Sequence, residues 1–196
     1  MNSYKTITSK AEGIYREKGS KFLSFALPVS DKEEIHLILK EYRSRFFDAR
    51  HVCYAWMLGP DRLDFRANDD GEPSGTAGRP ILGQINSHDL TNVLIIVVRY
   101  FGGILLGTGG LITAYKQAAS DAINNSEIVE KTVQVTLCIH FEYLLLNDVM
   151  RIVKETNAQI LKQEFDNKCT VILSFPKNDE LLIKARFENL FGVTCE

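Results

Sequence analysis

Apolar residues recur along this chain in two periods, and the switches between them mark its elements. Between Ala11 and Leu27 two short alternating runs flank Glu17-Lys18-Gly19, the pattern of a hairpin with Gly19 in the turn and with Leu23, Phe25 and Leu27 on one face. Ser30 followed three residues later by Glu33 is a capping-box signature, and Ile35, Ile38, Leu39, Tyr42 and Phe46 then fall at helical spacing. The spacing predicts a helix from about Asp31 to Phe47. Val52, Tyr54, Trp56 and Leu58 alternate with His51, Cys53, Ala55 and Met57, which describes a strand apolar on both faces. After the turn Gly59-Pro60-Asp61, Leu63, Phe65 and Ala67 alternate in a further strand. The continuous β-branched run from Asn92 to Arg99 predicts a central strand. Gly109 or Gly110 then opens a helix reaching about Ala122, with Leu111, Ala114, Tyr115, Ala118 and Ala119 on one face.

Past Asn124-Asn125-Ser126 the pattern restarts. Strand Val133–Phe141, helix Leu144–Glu155, strands Ala158–Phe165 and Cys169–Phe175, helix Asp179–Asn189 and a short end at Gly192–Cys195 follow in order. Leu145, Val149, Ile152 and Val153 form the apolar stripe of the first of these helices. A β-α-β-β-α-β order is that of the ferredoxin-like arrangement. The expected class is therefore α+β, with one domain over residues 1–126 and a ferredoxin-like domain over residues 127–196.

Length and composition leave this picture standing. A chain of 196 residues with 45% apolar and 24% charged residues has the make-up of a folded globular protein. The formal charge of −2 supplies no global positive field, so any contact with nucleic acid rests on a local patch. Met1-Asn2-Ser3-Tyr4-Lys5 leads straight into polar sequence and the apolar runs are too short to span a bilayer, so a cytoplasmic location is expected. Cys53, Cys138, Cys169 and Cys195 are scattered without a C-x-x-C pair, which disfavours both zinc and a disulfide framework.

Candidate chemistry gathers in two glycine-rich stretches. The first is the polar loop Asp69-Asp70-Gly71-Glu72-Pro73-Ser74-Gly75-Thr76-Ala77-Gly78-Arg79-Pro80; the second runs from Arg99-Tyr100-Phe101-Gly102-Gly103 to Gly107-Thr108-Gly109-Gly110. A glycine loop entering a helix offers backbone N–H groups and a helix dipole to an anion, with Arg99, Thr108 and Lys116 as supporting groups. It is not a nucleotide P-loop, because Leu111 stands where lysine is required, nor a dinucleotide fingerprint, because Ile112 stands where a third glycine would. The same glycines equally suit tight packing of a helix on the central strand or positive φ in a turn. Asp69, Asp70 and Glu72 could hold a hard cation, but Asp-Asp-Gly-Glu-Pro is also ordinary turn sequence in which Asp side chains bond to backbone two residues on. Ser74 lacks the order of a hydrolase elbow, and His51 with Cys53 could pair on one strand face, yet no nucleophile, base and orienting group assemble into a triad. Lys5, Lys10, Arg16, Lys18 and Lys21, and separately Arg43, Arg45 and Arg50, form basic clusters diluted by Glu12, Glu17 and Asp48.

These two stretches, with Gly107-x-Gly109-Gly110-Leu111-x-x-Ala114-Tyr115, resemble the signature of the YigZ/IMPACT family, and the resemblance extends along most of the chain to the family's bacterial two-domain form. It implies a ribosomal-protein-like α/β sandwich similar to domain IV of elongation factor G, followed by a ferredoxin-like domain similar to its domain V. Eukaryotic relatives regulate translation by binding the scaffold protein that activates the amino-acid-starvation kinase. Bacteria lack that pathway, so the resemblance implies the ribosome or an RNA as the analogous partner. The chain departs from the family pattern at Thr113, where arginine is frequent, and at Ala49-Arg50-His51, where Ala-Thr-His is frequent.

The reading that follows is a non-enzymatic, translation-associated regulator that binds RNA, the ribosome or a translation-related protein, with no cofactor or metal. Its binding residues are Asp70, Glu72, Ser74, Thr76, Arg79, Arg99, Tyr100, Gly102, Gly103, Gly107, Gly109, Gly110, Tyr115 and Lys116. Arg79, Arg99, Tyr100 and Lys116 are expected to contact the partner, and Arg99→Ala to weaken binding while leaving the fold intact. The alternative is an enzyme, a hydrolase or one acting on a phosphate ligand, with the two loops as its pocket.

Overall fold

A computed structural model describes residues 2–166 and 168–196; Met1, the first residue of the expected N-terminal domain, lies outside the described residues. The chain divides into two compact units, Ser3–Lys131 and Thr132–Glu196 with Asn2. Among the described residues no helix is long and apolar enough to cross a membrane.

The first unit runs β1 (Ser3–Ile7), β2 (Ala11–Glu17), β3 (Ser20–Pro28), α1 (Lys32–Arg45), β4 (His51–Leu58), β5 (Asp64–Asn68), α2 (Gly78–Ser87), β6 (Val93–Tyr100), α3 (Gly107–Asn124) and β7 (Ile128–Thr132). Five strands form an antiparallel sheet in the order β2-β3-β6-β4-β5, with β6 in the middle as its unbroken apolar run predicts. Both faces of β6 are covered. Val93, Ile95 and Val97 pack with Phe22, Cys53, Ala55 and Met57 beneath α2 and α3. Leu94, Ile96 and Val98 pack with Phe25, Val52, Tyr54 and Trp56 beneath Ile35 and Tyr42 of α1. The β2–β3 hairpin turns through Lys18 at φ 47° and Gly19 at φ 79°, the pair of positive values that a two-residue turn needs to match strand twist.

Several boundaries differ from expectation, each for a local reason. The cap of α1 is Asp31 rather than Ser30: its carboxylate accepts from Glu34 N at 2.8 Å, while Glu34 reaches back to the Ser30 N–H and hydroxyl, both at 2.8 Å. The box is thus shifted by one residue, because the Asp carboxylate is the stronger acceptor for an N–H at a helix start. Gly78-Arg79-Pro80, expected in a loop, forms the first turn of α2, which has no counterpart in the expected elements. Its signal was present in Ile81 and Ile85, four apart and fully buried, behind a proline that a first turn tolerates. α3 begins at Gly107, so the glycines expected to precede that helix are its opening turn. The alternation at Leu63 and Phe65 does not mark an inward face, since both are exposed, Leu63 just before the edge strand β5 and Phe65 within it.

In the second unit β8 (Gln134–Glu142), α4 (Leu146–Glu155), β9 (Gln159–Phe165), β10 (Lys168–Pro176), α5 (Glu180–Glu188) and β11 (Thr194–Cys195) follow one another. The four strands lie in the order β11-β8-β10-β9, antiparallel throughout, which with the two helices is the ferredoxin-like topology. Val149, Ile152 and Val153 of α4 and Ile183 and Phe187 of α5 close the core over Ile139, Val171 and Leu173.

Because Asp31 caps α1, Asp31→Ala is expected to lower stability by about 1 kcal/mol, and Ser30→Ala by less. Urea denaturation of both variants checks this; equal losses would return the cap to Ser30.

Candidate functional site

The motif residues converge where the ends of β4 and β6 meet the start of α3. Across the sheet, Arg99 on β6 stands opposite His51 on β4 and Phe22 on β3. Odd-numbered positions of β6 face α2 and α3, so Arg99 continues inward the row begun by Val93, Ile95 and Val97. A guanidinium so placed needs an acceptor, and the 69–80 segment supplies one.

Glu72 is that acceptor. Its side chain is only 3% exposed, and a single oxygen, Oε1, accepts from Arg99 Nη1 at 2.6 Å and from the Tyr115 hydroxyl at 2.8 Å. The chain of contacts continues to the Cys53 thiol, 3.3 Å from the Tyr115 oxygen and 3.0 Å from the Asp69 carbonyl. Burial first, then the neighbouring Cys53 and Glu72, push the Tyr115 hydroxyl far above its ordinary range. Burial likewise pushes the Cys53 thiol far up, with the nearby carboxylates adding to it against a lowering contribution from Tyr115. Cys53 makes no thiolate pair with His51, whose Nδ1 sits 2.8 Å from the Asp70 carbonyl instead.

The two aspartates before Glu72 have different tasks. Asp70 bonds Val52 N at the start of β4 and Arg43 of α1, each at 2.7 Å. Asp69 reaches forward, accepting from Gly75 N at 2.8 Å, Ala77 N at 3.0 Å and Gly78 N at 2.8 Å, and so caps α2 from outside it. Desolvation acts to raise its pKa, but these three N–H groups and the Arg79 charge outweigh it and hold Asp69 below the usual carboxylate range. The expected two-residue Asp turn is made by Asn68, which accepts from Asp70 N, rather than by either aspartate.

Above Arg99 and Glu72 lies a cavity of about 400 Å³. Pro73, Phe101, Leu105, Leu106 and Leu111 form its apolar walls; His51, Glu72 and Arg99 its polar floor, with exposed Arg50 at its mouth; Gly107 and Thr108 bring the N-terminus of α3 to its edge. Sequence reasoning passed over Ile104-Leu105-Leu106, although three consecutive large apolar residues in a glycine loop are a signal in themselves. Leu105 is 82% exposed and Ile104 56%, beside half-exposed Phe101 and Ile112. The glycines divide by role. A Cβ on Gly102 would lie 1.9 Å from the carbonyl carbon of Gly19, so the loop and the hairpin tip touch backbone to backbone, whereas Gly109 faces open space.

The other expected site residues scatter. Ser74, Arg79 and Lys116 are exposed, Thr76 is buried with its hydroxyl on the Pro73 carbonyl, and Tyr100 donates to Asp48. Tyr115 is wholly buried and packs edge-on against Phe22. In the second unit one ring nitrogen of His140 lies 3.0 Å from Thr170 Oγ1 and the other 3.4 Å from Cys138 Sγ.

Residues 18–123 match the family described as the Impact N-terminal domain. The chain is 33% identical over 164 residues to IMPACT family member YvyE of Bacillus subtilis (strain 168), covering 84% of this chain and 75% of that one. It is 33% identical over 150 residues to IMPACT family member YigZ of Escherichia coli (strain K12), covering 76% and 74% of the two chains. A crystal structure described as that of a hypothetical protein superposes with a TM-score of 0.80 at 27% identity, over 100% of this chain and 97% of that one.

Two outcomes follow from the geometry. Arg99→Ala strands a buried carboxylate, so it is expected to cost about 3–5 kcal/mol in urea denaturation rather than leave the fold untouched; a variant of wild-type stability would remove the buried pair. Asp69→Asn is expected to cost about 1.5–3 kcal/mol at pH 7. A carboxylate whose folded pKa is depressed stabilises above its unfolded value, about pH 4, and that contribution disappears as pH falls through the folded value. The gap between wild type and Asp69→Asn therefore narrows in acid, and a gap that stays constant from pH 7 to pH 3 would contradict the cap.

Proposed function

The chain belongs to the IMPACT family, and from that premise we propose that it is a non-enzymatic regulator associated with translation, acting in the cytoplasm by binding a protein of the translation apparatus. The binding face is the one built around residues 99–112. What carries the choice of a protein over an RNA partner is the rim of the cavity, where Phe101, Ile104, Leu105 and Ile112 expose apolar surface together. RNA binding draws on unpaired cations, and several of the candidates are engaged within the fold: Arg99 with Glu72, Arg43 with Asp70 and Lys10 with Glu12. Two exposed cations adjoin the face, Arg50 at the cavity and Lys18 in the hairpin tip that touches Gly102, and they suit the polar border of an interface with an apolar centre.

The enzymatic alternative asks the loops for a nucleophile or a base. Cys53 and Tyr115, the two hydrogen-bonded to each other behind Glu72, are both held protonated by burial, the reverse of what either role requires. The three acidic residues of the first loop serve a helix cap, an arginine of α1 and the Arg99–Tyr115 pair, which supports a structural part for that segment.

Co-sedimentation of the purified protein with ribosomes across a salt series tests the reading. Pelleting that persists as salt rises, and that weakens at least about tenfold in an Ile104→Asp/Leu105→Asp variant, a loss near 1.4 kcal/mol, is expected. Absence of pelleting at low salt would sink ribosome association, and a steep loss with salt that the apolar variant does not share would move the contact to RNA.

A further inference from the structure

The cavity over Arg99 has the chemistry of a ligand site in its own right. Arg99 is 6% exposed, and while its Nη1 serves Glu72, its Nε is buried without an acceptor. A buried guanidinium nitrogen left unpartnered is costly, and native structures leave few such groups without a reason. The guanidinium carbon lies 5.6 and 5.8 Å from the centres of the Phe22 and Phe101 rings, and Nη1 is tied to Glu72. Its orientation is therefore set before any ligand arrives.

At the edge of the same cavity α3 opens at Gly107-Thr108-Gly109, and no side chain among the described residues caps it. An 18-residue helix with uncapped first-turn N–H groups adds a second element suited to negative charge. Gly109 has nothing within 4 Å of where a Cβ would stand, so the backbone there is open to approach. Arg50 is exposed at the mouth and Thr108 supplies a hydroxyl. The other helix start in this unit that carries a glycine, that of α2, is already filled by the Asp69 carboxylate.

We infer that the cavity binds a carboxylate attached to an apolar body, with the carboxylate between Arg99 and the start of α3 and the body against Phe101, Leu105, Leu106 and Leu111. Charge fixes the class. Two arginines against Glu72 leave room for one negative charge, while a doubly charged phosphate would set its second charge against the Glu72 carboxylate. A guanidinium with one nitrogen engaged still presents a planar edge that suits a carboxylate. The volume of about 400 Å³ lies in the range of small-molecule sites, and the apolar walls exceed what a bare anion uses. Such a carboxylate can be a free acid or the C-terminus of a polypeptide ending in an apolar residue. The inference stands apart from the identity of the translation partner.

The test is a titration of the ¹⁵N-labelled full chain, followed by amide and Arg99 Nε shifts. The probes are sodium hexanoate, 1-hexanol, sodium phosphate, and a leucine-terminated pentapeptide as its acid and its amide. Saturable shifts at Gly107, Thr108, Gly109 and Arg99 with hexanoate or the peptide acid, and none with hexanol or the peptide amide, are expected. Arg50→Glu, an exposed change that leaves the core alone, is expected to weaken the carboxylate at least about tenfold. Tighter binding of the peptide acid identifies a polypeptide end as the source, and tighter binding of hexanoate a free acid. No saturation by either carboxylate, equal shifts from hexanol, or equal shifts from phosphate alone would each overturn the assignment. None of these outcomes depends on whether the protein pellets with ribosomes.

Discussion

One buried carboxylate ties the first unit together at its functional end. Glu72 belongs to a loop, Arg99 to the central strand and Tyr115 to the long helix, and a single oxygen joins all three. Burying that charge is favourable only because both donors are present, so the loop cannot lift away without leaving an arginine and a carboxylate unpaired in an apolar setting. The polar segment, which reads as a candidate binding loop or as ordinary turn sequence, therefore serves as a brace.

The fold was legible wherever one physical preference dominated a stretch. The β6 run is apolar on both faces because helices cover both, and it could hardly be placed anywhere but the middle of a sheet. The Lys18-Gly19 turn and the β-α-β-β-α-β order of the second unit were equally plain. α2 was hidden because its start carries none of the usual cap residues at its own N-terminus: the cap comes from Asp69, eight residues before the first-turn N–H of Ala77 and nine before that of Gly78. Spacing rules see local partners, and this one is not local.

The convergence of the two glycine-rich stretches was legible in the sequence, and the internal partners of their side chains were not. Asp70, Glu72, Arg99 and Tyr115 were named among the binding residues, Arg99 as a partner contact, and each is engaged in internal bonds that hold loop, strand and helix together. A charged residue in a glycine-rich motif reads as exposed until its partner is known, and the partner of Arg99 lies in another loop of the chain. Conversely, Leu105 reads as core by type and stands in solvent. Residue type predicts burial on average, and an exposed apolar loop such as 104–105 departs from that average.

The order β2-β3-β6-β4-β5 also bears on how the protein is made. Emerging from its N-terminus, the chain offers two hairpins, β2–β3 and then β4–β5, whose partners are close in sequence but which are marginal in isolation. The strand that joins them is read out last, so β3 and β4 wait with open edges until residue Tyr100 has left the exit channel. During that interval the nascent chain is at its most adhesive, and the arrival of β6 ends it in one step.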